Sequence, residues 1–579
     1  MDQETPPGSP GRQQAASSAP LHSMESMERG GEASRVDASR YHPVARLSAL
    51  QRRYVYVAVF AAGVTTLAVE LSASRLLGSV FGTSNLVWAN IIGLILLYLT
   101  VGYFVGGRWA DRSPSAVTFY RIITWSAFLS GLSPLVARPV LWGAASAVAA
   151  LDAGVAVGSF VAVLVLFAAP VTLLGCVSPF AIRLSIRELA AAGGTAGWLY
   201  AISTLGSLVG TFTPVLILIP SVGTTRTFLI FAAALMAIGF GGLAMTNRRA
   251  ALQLLWMPVV LAALAALILA EPLKPAPPRT ALLYEDDSPY NYIQVVEVDD
   301  PASPMAQTRY LLLNEGQGIH SEWHPTRILT AGTWDFFLAA PYFNAAPFDP
   351  ARVRAGGLAL VGLAAGTVAR QYVAVYSDIL IDGIEIDPGV VEAGRRFFEM
   401  DEAHMPTLNV IVEDGRFALA NSARSYAVVG IDAYRVPYVP WQLTTREFFT
   451  EVRDHLTPDG VAVINVGRTP TDRRLVEALT ATMLAVFPSV HTIDVPRSFN
   501  TILVGTAQPT EAGNLGANLA ALDASAYPLL AEALALAGEG LVPTVASELV
   551  FTDDHAPVES IVDSLVLNFY FSEGVESFR

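Results

Sequence analysis

Four short apolar runs in the second half of the chain each end in glycine or a carboxylate. They are Leu358-Ala-Leu-Val-Gly362-Leu-Ala-Ala-Gly366-Thr367, Leu380-Ile-Asp-Gly-Ile-Glu385-Ile-Asp387, Val410-Ile-Val-Glu-Asp414-Gly415-Arg416 and Tyr426-Ala-Val-Val-Gly-Ile-Asp432. Glu385 lies 19 positions beyond Gly366 (385 − 366), where open α/β sheets place the acid that accepts both ribose hydroxyls. Asp414 could accept from an adenine amino group, and Asp432 would stand over the site where a reacting group lies. Gly362 and Gly366 would let the first strand-to-helix turn run close to a ligand that Cβ atoms would strike. A glycine pair alone also suits helix–sheet packing; Gly, Glu, Asp and Asp at successive strand ends point to a nucleoside. The chain has no Gly-x-x-x-x-Gly-Lys-Ser/Thr loop, which disfavours a nucleoside triphosphate.

Runs this short and apolar predict buried parallel strands, whose carboxyl ends face the ligand crevice of an α/β sheet. Beyond Asp432 the pattern predicts a helix over 444–456, a strand over 461–466, a helix over 471–487 and strands over 490–495 and 501–505. That makes seven strands, the last two antiparallel. Before the glycine turn, two alternating runs starting at Asp287 and Arg309 predict a small β-hairpin subdomain.

The 579-residue chain has 15% charged residues and a net charge of −14. Its mean hydropathy of +0.46 is too high for a soluble enzyme and indicates a membrane protein. The acidic balance argues against nucleic acid as a partner. Cys176 is the only cysteine and no His-Glu-x-x-His is present, so neither a disulfide nor a metal site is expected.

Residues 1–45 are rich in Gly, Pro, Ser and Ala, lack a signal-peptide core and are expected to be disordered. Residues 46–271 form the expected membrane domain, with about seven helices near 55–77, 87–107, 117–137, 155–178, 197–220, 226–246 and 251–270. Glu70 within the first calls for a partner, which Arg75 or Arg183 could supply. Arginines crowd alternate loops, which puts the N-terminus in the cytoplasm. Seven crossings would leave the rest outside, whereas an adenosyl compound is found inside; the expectation here leans to a cytoplasmic soluble domain. The remaining boundaries are a proline-rich linker over 272–280, the hairpin subdomain over 281–345, the α/β domain over 346–510 and a C-terminal extension over 511–579.

Over about residues 281–510 the chain resembles the spermidine synthase (polyamine aminopropyltransferase) family, most of all the form fused behind a multi-span membrane region. The hairpin lead-in, the glycine turn, Gly-Ile-Glu385-Ile-Asp387, Glu-Asp414-Gly415 and the strand ending in Asp432 carry the likeness. Ser288-Pro-Tyr290-Asn291 matches the family's Ser-x-Tyr-Gln, and Thr444-Thr-Arg-Glu447-Phe448-Phe449 its Leu-x-x-x-Glu-Phe-Tyr. Asp553-Asp554-His555-Ala-Pro557-Val-Glu559 is a feature associated with membrane-fused members. The resemblance implies a Rossmann-like, class I methyltransferase-type fold that moves an aminopropyl group from decarboxylated S-adenosylmethionine to putrescine or a related amine. It implies no tightly bound cofactor, and it leaves a homodimer through the soluble domain open.

By that resemblance Asp432 is the general base and amine anchor. Glu385 holds the ribose, Asp414 reads the adenine, and Gly362, Gly366, Gly415 and Asn291 complete the nucleoside side. Gln317, His320, Trp334, Asp335 and Tyr434 line the amine side. The family's Asp-Ser-Ser-Asp-Pro loop is here Asp432-Ala-Tyr434-Arg435-Val, and Ala365 replaces the Asp of the glycine turn. Asn291 and His320 stand at Gln positions, and Trp334-Asp335 at a Tyr-Gln pair. The nucleoside half is therefore retained better than the diamine half; Arg435, turned inward, would suit a less cationic acceptor. Two further readings stay open: a methyltransferase using S-adenosylmethionine, and a transporter-like membrane protein with a non-catalytic adenosyl-sensing domain.

Overall fold

The computed structural model describes residues 47–81, 85–151, 154–186, 191–269, 276–314, 318–434 and 439–573. The N-terminal tail, residues 272–275 of the proline-rich linker, Gln317 and Arg435 lie outside them. All the described residues fall in one compact unit, Val44–Arg579.

The first half folds into helical rods because its apolar runs satisfy their own backbone polar groups. Among the described residues there are seven: α1 (Ala49–Phe81), α2 (Asn85–Arg112), α3 (Ala116–Leu151), α4 (Gly154–Ser185), α5 (Ala192–Thr213, continued to Val222), α6 (Thr224–Thr246) and α7 (Trp256–Ile268, led by Arg248–Gln253). Six are long and apolar enough to cross a membrane. The exception is α3, which carries Arg121 and Arg138 and two internal prolines. It nevertheless runs the length of the bundle. Phe119–Leu135 belong to the apolar core around Val55 and Leu243, whereas Ala137–Ala144 belong to the core around Leu76, Val87 and Phe228. The glycines ending α2 press on α4: a Cβ on Gly106 would lie 2.6 Å from Cys176 Cα, and one on Gly102 would strike Thr172. Glu70 receives neither of its expected partners. Arg183 pairs with Asp111 at 3.3 Å and Arg75 turns to the second half of the chain.

That half begins with an antiparallel sheet rather than a hairpin: β1 (Thr280–Asp287), β2 (Tyr292–Val298), β3 (Arg309–Leu313) and β4 (Ile319–Trp323), in that order. The single run expected from Arg309 to Glu322 breaks after Asn314, whose φ of +48° ends the strand.

The large sheet is made of β5 (Leu358–Val361), β6 (Ile381–Glu385), β7 (Leu408–Val412), β8 (Tyr426–Ile431), β9 (Leu456–Gly467), β10 (Ser489–Asp494), β11 (Asn500–Thr506) and the short β12 (Leu541–Val542). Its order among the described residues is β12-β10-β11-β9-β8-β5-β6-β7. Strands β5 to β9 run parallel, and β11 is antiparallel to both β9 and β10. This doubly wound layout reverses direction between β5 and β8, the point where such sheets bind ligands. Every residue of β5 and β8 is buried, which explains their unbroken apolar sequence.

The small sheet is fastened over the glycine turn. Ser321 Oγ accepts from Ala365 N at 2.9 Å, and Thr367 Oγ1 both accepts from Glu322 N (2.9 Å) and donates to its carbonyl (3.1 Å). The C-terminal segment runs back to the bundle, where Glu559 Oε2 accepts from Asn85 N, at the start of α2, at 3.0 Å.

Candidate active site

Strand register lines up the candidate residues. Val361 is level with Ile431 on one side and Ile384 on the other, and Glu385 is level with Val412. Gly362, Asp432, Glu385 and the Glu413-Asp414 pair thus share the carboxyl edge of four neighbouring strands. With strands about 4.8 Å apart, Asp432 and Asp414 stand about 14 Å from each other along that edge.

Asp432 follows β8 and is half-buried, with an oxygen fixed on each side. Trp334 Nε1–H donates to Oδ2 at 3.0 Å, and Asn465 Nδ2–H donates to Oδ1 at 2.9 Å. Asn500 Nδ2–H orients Asn465 through its Oδ1 at 2.8 Å, and the Tyr434 hydroxyl donates to the Asn465 carbonyl at 3.2 Å. Burial lifts the Asp432 carboxyl to about 6, although the Asn465 and Trp334 hydrogen bonds oppose the rise. A carboxylate with that affinity for protons can take one from an ammonium-forming nitrogen near neutral pH.

The glycines also make close approaches within the protein. Gly362 has φ +95°, and a Cβ there would lie 2.5–2.7 Å from the Asp432–Ala433 peptide, so it makes room for the backbone at the end of β8. Gly366, with φ +88°, precedes α8 (Thr367–Tyr376), and a Cβ there would lie 3.1–3.2 Å from the Met400 side chain. A Cβ on Gly415 would lie 2.5 Å from Val361 Cγ1.

Glu385 is 9% exposed at the end of β6. Its Oε2 accepts from Ala364 N at 2.9 Å and its Oε1 from Asp387 N at 3.1 Å, which holds the carboxylate beside the glycine turn. Burial raises it to about 7, against the lowering effect of those amides. Asp414 caps α10 (Gly415–Ala420), with Oδ1 accepting from Arg416 N and Phe417 N, both at 3.0 Å. The Arg416 guanidinium is held by Glu451 and Asp553.

Two other expected residues are committed to hydrogen bonds within the protein. Asp335 is 1% exposed and its carboxylate is fully committed: it accepts from Thr330 N and Oγ1, Ala331 N and Gln371 Nε2 at 2.6–3.2 Å. It therefore shapes the turn that carries Trp334 and is no substrate ligand. The Asn291 amide bridges Asp387 Oδ2 (2.8 Å) and Asn314 Nδ2 (2.7 Å), so it braces the acid after Glu385 instead of reaching a nucleoside. His320 sits on β4, where burial lowers it to about 4 and keeps it neutral. Burial also raises the Tyr434 hydroxyl, which stays protonated and donates.

Asn465 was absent from the expected set, although it is the one polar residue inside the apolar run Val461-Ala-Val-Ile-Asn465-Val. That break was its available signal. Glu322, raised to about 7 by burial, had none; it pairs with Arg327 at 3.0 Å.

Fold and site thus define a doubly wound α/β domain with carboxylates along its switch-point edge, one of them framed by two donors. Residues 320–506 of this chain match the family model of the spermine/spermidine synthase domain. A probable polyamine aminopropyl transferase of Bifidobacterium longum is 35% identical over 225 residues, 38% of this chain and 46% of that protein. A polyamine aminopropyltransferase of Vibrio vulnificus is 28% identical over 141 residues, 24% of this chain and 46% of that one. The chain thus spans about half the length of these curated relatives. A crystal structure of a probable spermidine synthase from Corynebacterium glutamicum superposes with a TM-score of 0.35 at 21% identity, covering 42% of this chain and 87% of that one.

Proposed function

We propose that this protein is a membrane-bound aminopropyltransferase of the spermidine synthase type, acting on decarboxylated S-adenosylmethionine and putrescine or a related amine. The observation that carries the reading is Asp432, framed by Trp334 and Asn465 at the same sheet edge as Glu385. In this reading Glu385 accepts from the ribose hydroxyls and the nucleoside extends towards Asp414. The acceptor nitrogen attacks the methylene beside the sulfonium. A C–N bond forms, the C–S bond breaks with its electrons going to sulfur, and neutral methylthioadenosine leaves. Asp432 takes the proton the nitrogen sheds. Trp334 and Asn465 fix the carboxylate so that little reorganisation accompanies the transfer.

Six sufficiently apolar helices support a multi-pass location in a cell membrane. Arg52, Arg53, Arg108, Arg112, Arg121, Arg183, Arg248 and Arg249 gather where α1 begins and α2 ends, whereas the soluble domain meets Arg75 and Thr224 at the opposite end. The positive-inside tendency then favours the non-cytoplasmic face for the soluble domain, in place of the cytoplasmic one its cofactor suggested.

Incubating the purified full chain with decarboxylated S-adenosylmethionine and putrescine should release methylthioadenosine and spermidine. Methyl transfer from S-adenosylmethionine alone, with release of its homocysteine product, would replace this reading with the methyltransferase one.

A further inference from the structure

The loop from Asp287 to Asn291 touches both the bundle and the nucleoside half of the site. On the bundle side, Arg75 of α1 donates through Nη1 to the Tyr290 carbonyl at 2.9 Å. Through Nη2 it reaches Asp287 Oδ1 at 3.2 Å and also the Ser288 carbonyl. Thr224, the first residue of α6, donates its N–H (2.9 Å) and its hydroxyl (2.7 Å) to Asp287 Oδ2. One carboxylate thus clamps two helices that are separate in sequence.

On the other side, the Ser288 hydroxyl donates to Asp387 Oδ2 at 2.6 Å and Asn291 Nδ2 donates to the same oxygen at 2.8 Å. Asp387 is fully buried, caps α9 (Pro388–Phe397) through Gly389 N, and sends its own N–H to Glu385 Oε1 at 3.1 Å. Because Ser288 is 4% exposed and Glu385 9% exposed, little water is at hand to replace a lost bond. Displacement at one end must then be taken up by the next group, as buried polar networks are high in stakes when incompletely satisfied.

We propose that Arg75, a residue of the helical bundle, is a positioning residue for the nucleoside half of the site, acting through the Asp287–Asn291 loop and Asp387 to aim Glu385. The bundle then sets donor affinity, and by linkage nucleoside binding tightens the α1–α6 clamp. This rests on the nucleoside-binding reading of Glu385. A merely docked domain would lose stability without losing affinity.

The test is a double-mutant cycle on the full chain in lipid nanodiscs, reading the Kd of methylthioadenosine by titration calorimetry. Arg75→Gln is expected to raise that Kd about tenfold in the wild-type background and less than twofold with Glu385→Ala, while kcat at saturating donor stays within twofold. Thr224→Val, which keeps the backbone contact, gives a smaller rise and serves if Arg75→Gln does not fold. Arg75→Lys should recover part of the affinity. An unchanged Kd in a folded Arg75→Gln protein, or equal losses in both backgrounds, overturns the proposal. If Glu385→Ala itself leaves the Kd unchanged, the nucleoside reading fails first.

Discussion

Replacing Trp334 by phenylalanine should move the acidic limb of the pH–rate profile to higher pH. The indole N–H donates to Asp432 Oδ2 at 3.0 Å and so favours the ionised carboxylate, which burial lifts to about 6 with that bond in place. A hydrogen bond to a charged group contributes about 1.5–3 kcal/mol when buried. Asp432 is only half-buried, so water will replace part of the lost bond, leaving about 1 kcal/mol. At about 1.36 kcal/mol per pKa unit, the carboxyl should rise by about 0.7. The sign follows from the base being active when ionised: activity is lost as pH falls through the Asp432 pKa, so a raised pKa brings that loss nearer neutrality. Methylthioadenosine release, measured as kcat/KM from pH 5 to 9, reports the free enzyme. Trp334→Phe should show a limb near 6.7 and recover most of the wild-type rate above pH 8. A uniform fall in rate with an unmoved limb would mean that Trp334 acts by packing, or that Asp432 is not the titrating base.

Asp432→Asn should abolish turnover while leaving methylthioadenosine affinity nearly intact, since the amide cannot take the proton; full activity would remove Asp432 from the mechanism. Glu385→Ala should weaken nucleoside binding by about 1.5–3 kcal/mol, measured by calorimetry. Because burial raises Glu385 to about 7 and it accepts from hydroxyls best when ionised, affinity in the wild type should rise between pH 6 and 8; a flat profile would argue against ribose contact. For the orientation, Cys176 is buried and gives a silent background. An exposed cysteine at Ala524→Cys should react with a membrane-impermeant maleimide on intact cells, and one at Ser113→Cys only after permeabilisation; the reverse order would place the soluble domain in the cytoplasm.

The strand ends were legible because a buried parallel strand must be apolar throughout and polar only where it meets the crevice. Gly362, Glu385, Asp414 and Asp432 therefore announce themselves by position, and local patterning alone placed them on one sheet edge. Six of the bundle helices among the described residues were legible for a similar reason, since helices of that length and hydropathy carry their signal along the chain. What the sequence could not carry was the partner of each polar group. Asp335 and Asn291 look like ligands by position, yet their hydrogen bonds are taken by Thr330, Gln371, Asp387 and Asn314. Gly362 also makes room for a backbone 70 residues further on (432 − 362). Arg75 lies 212 positions from the aspartate it holds (287 − 75). Pairings across such separations depend on how layers pack, and no local periodicity encodes them.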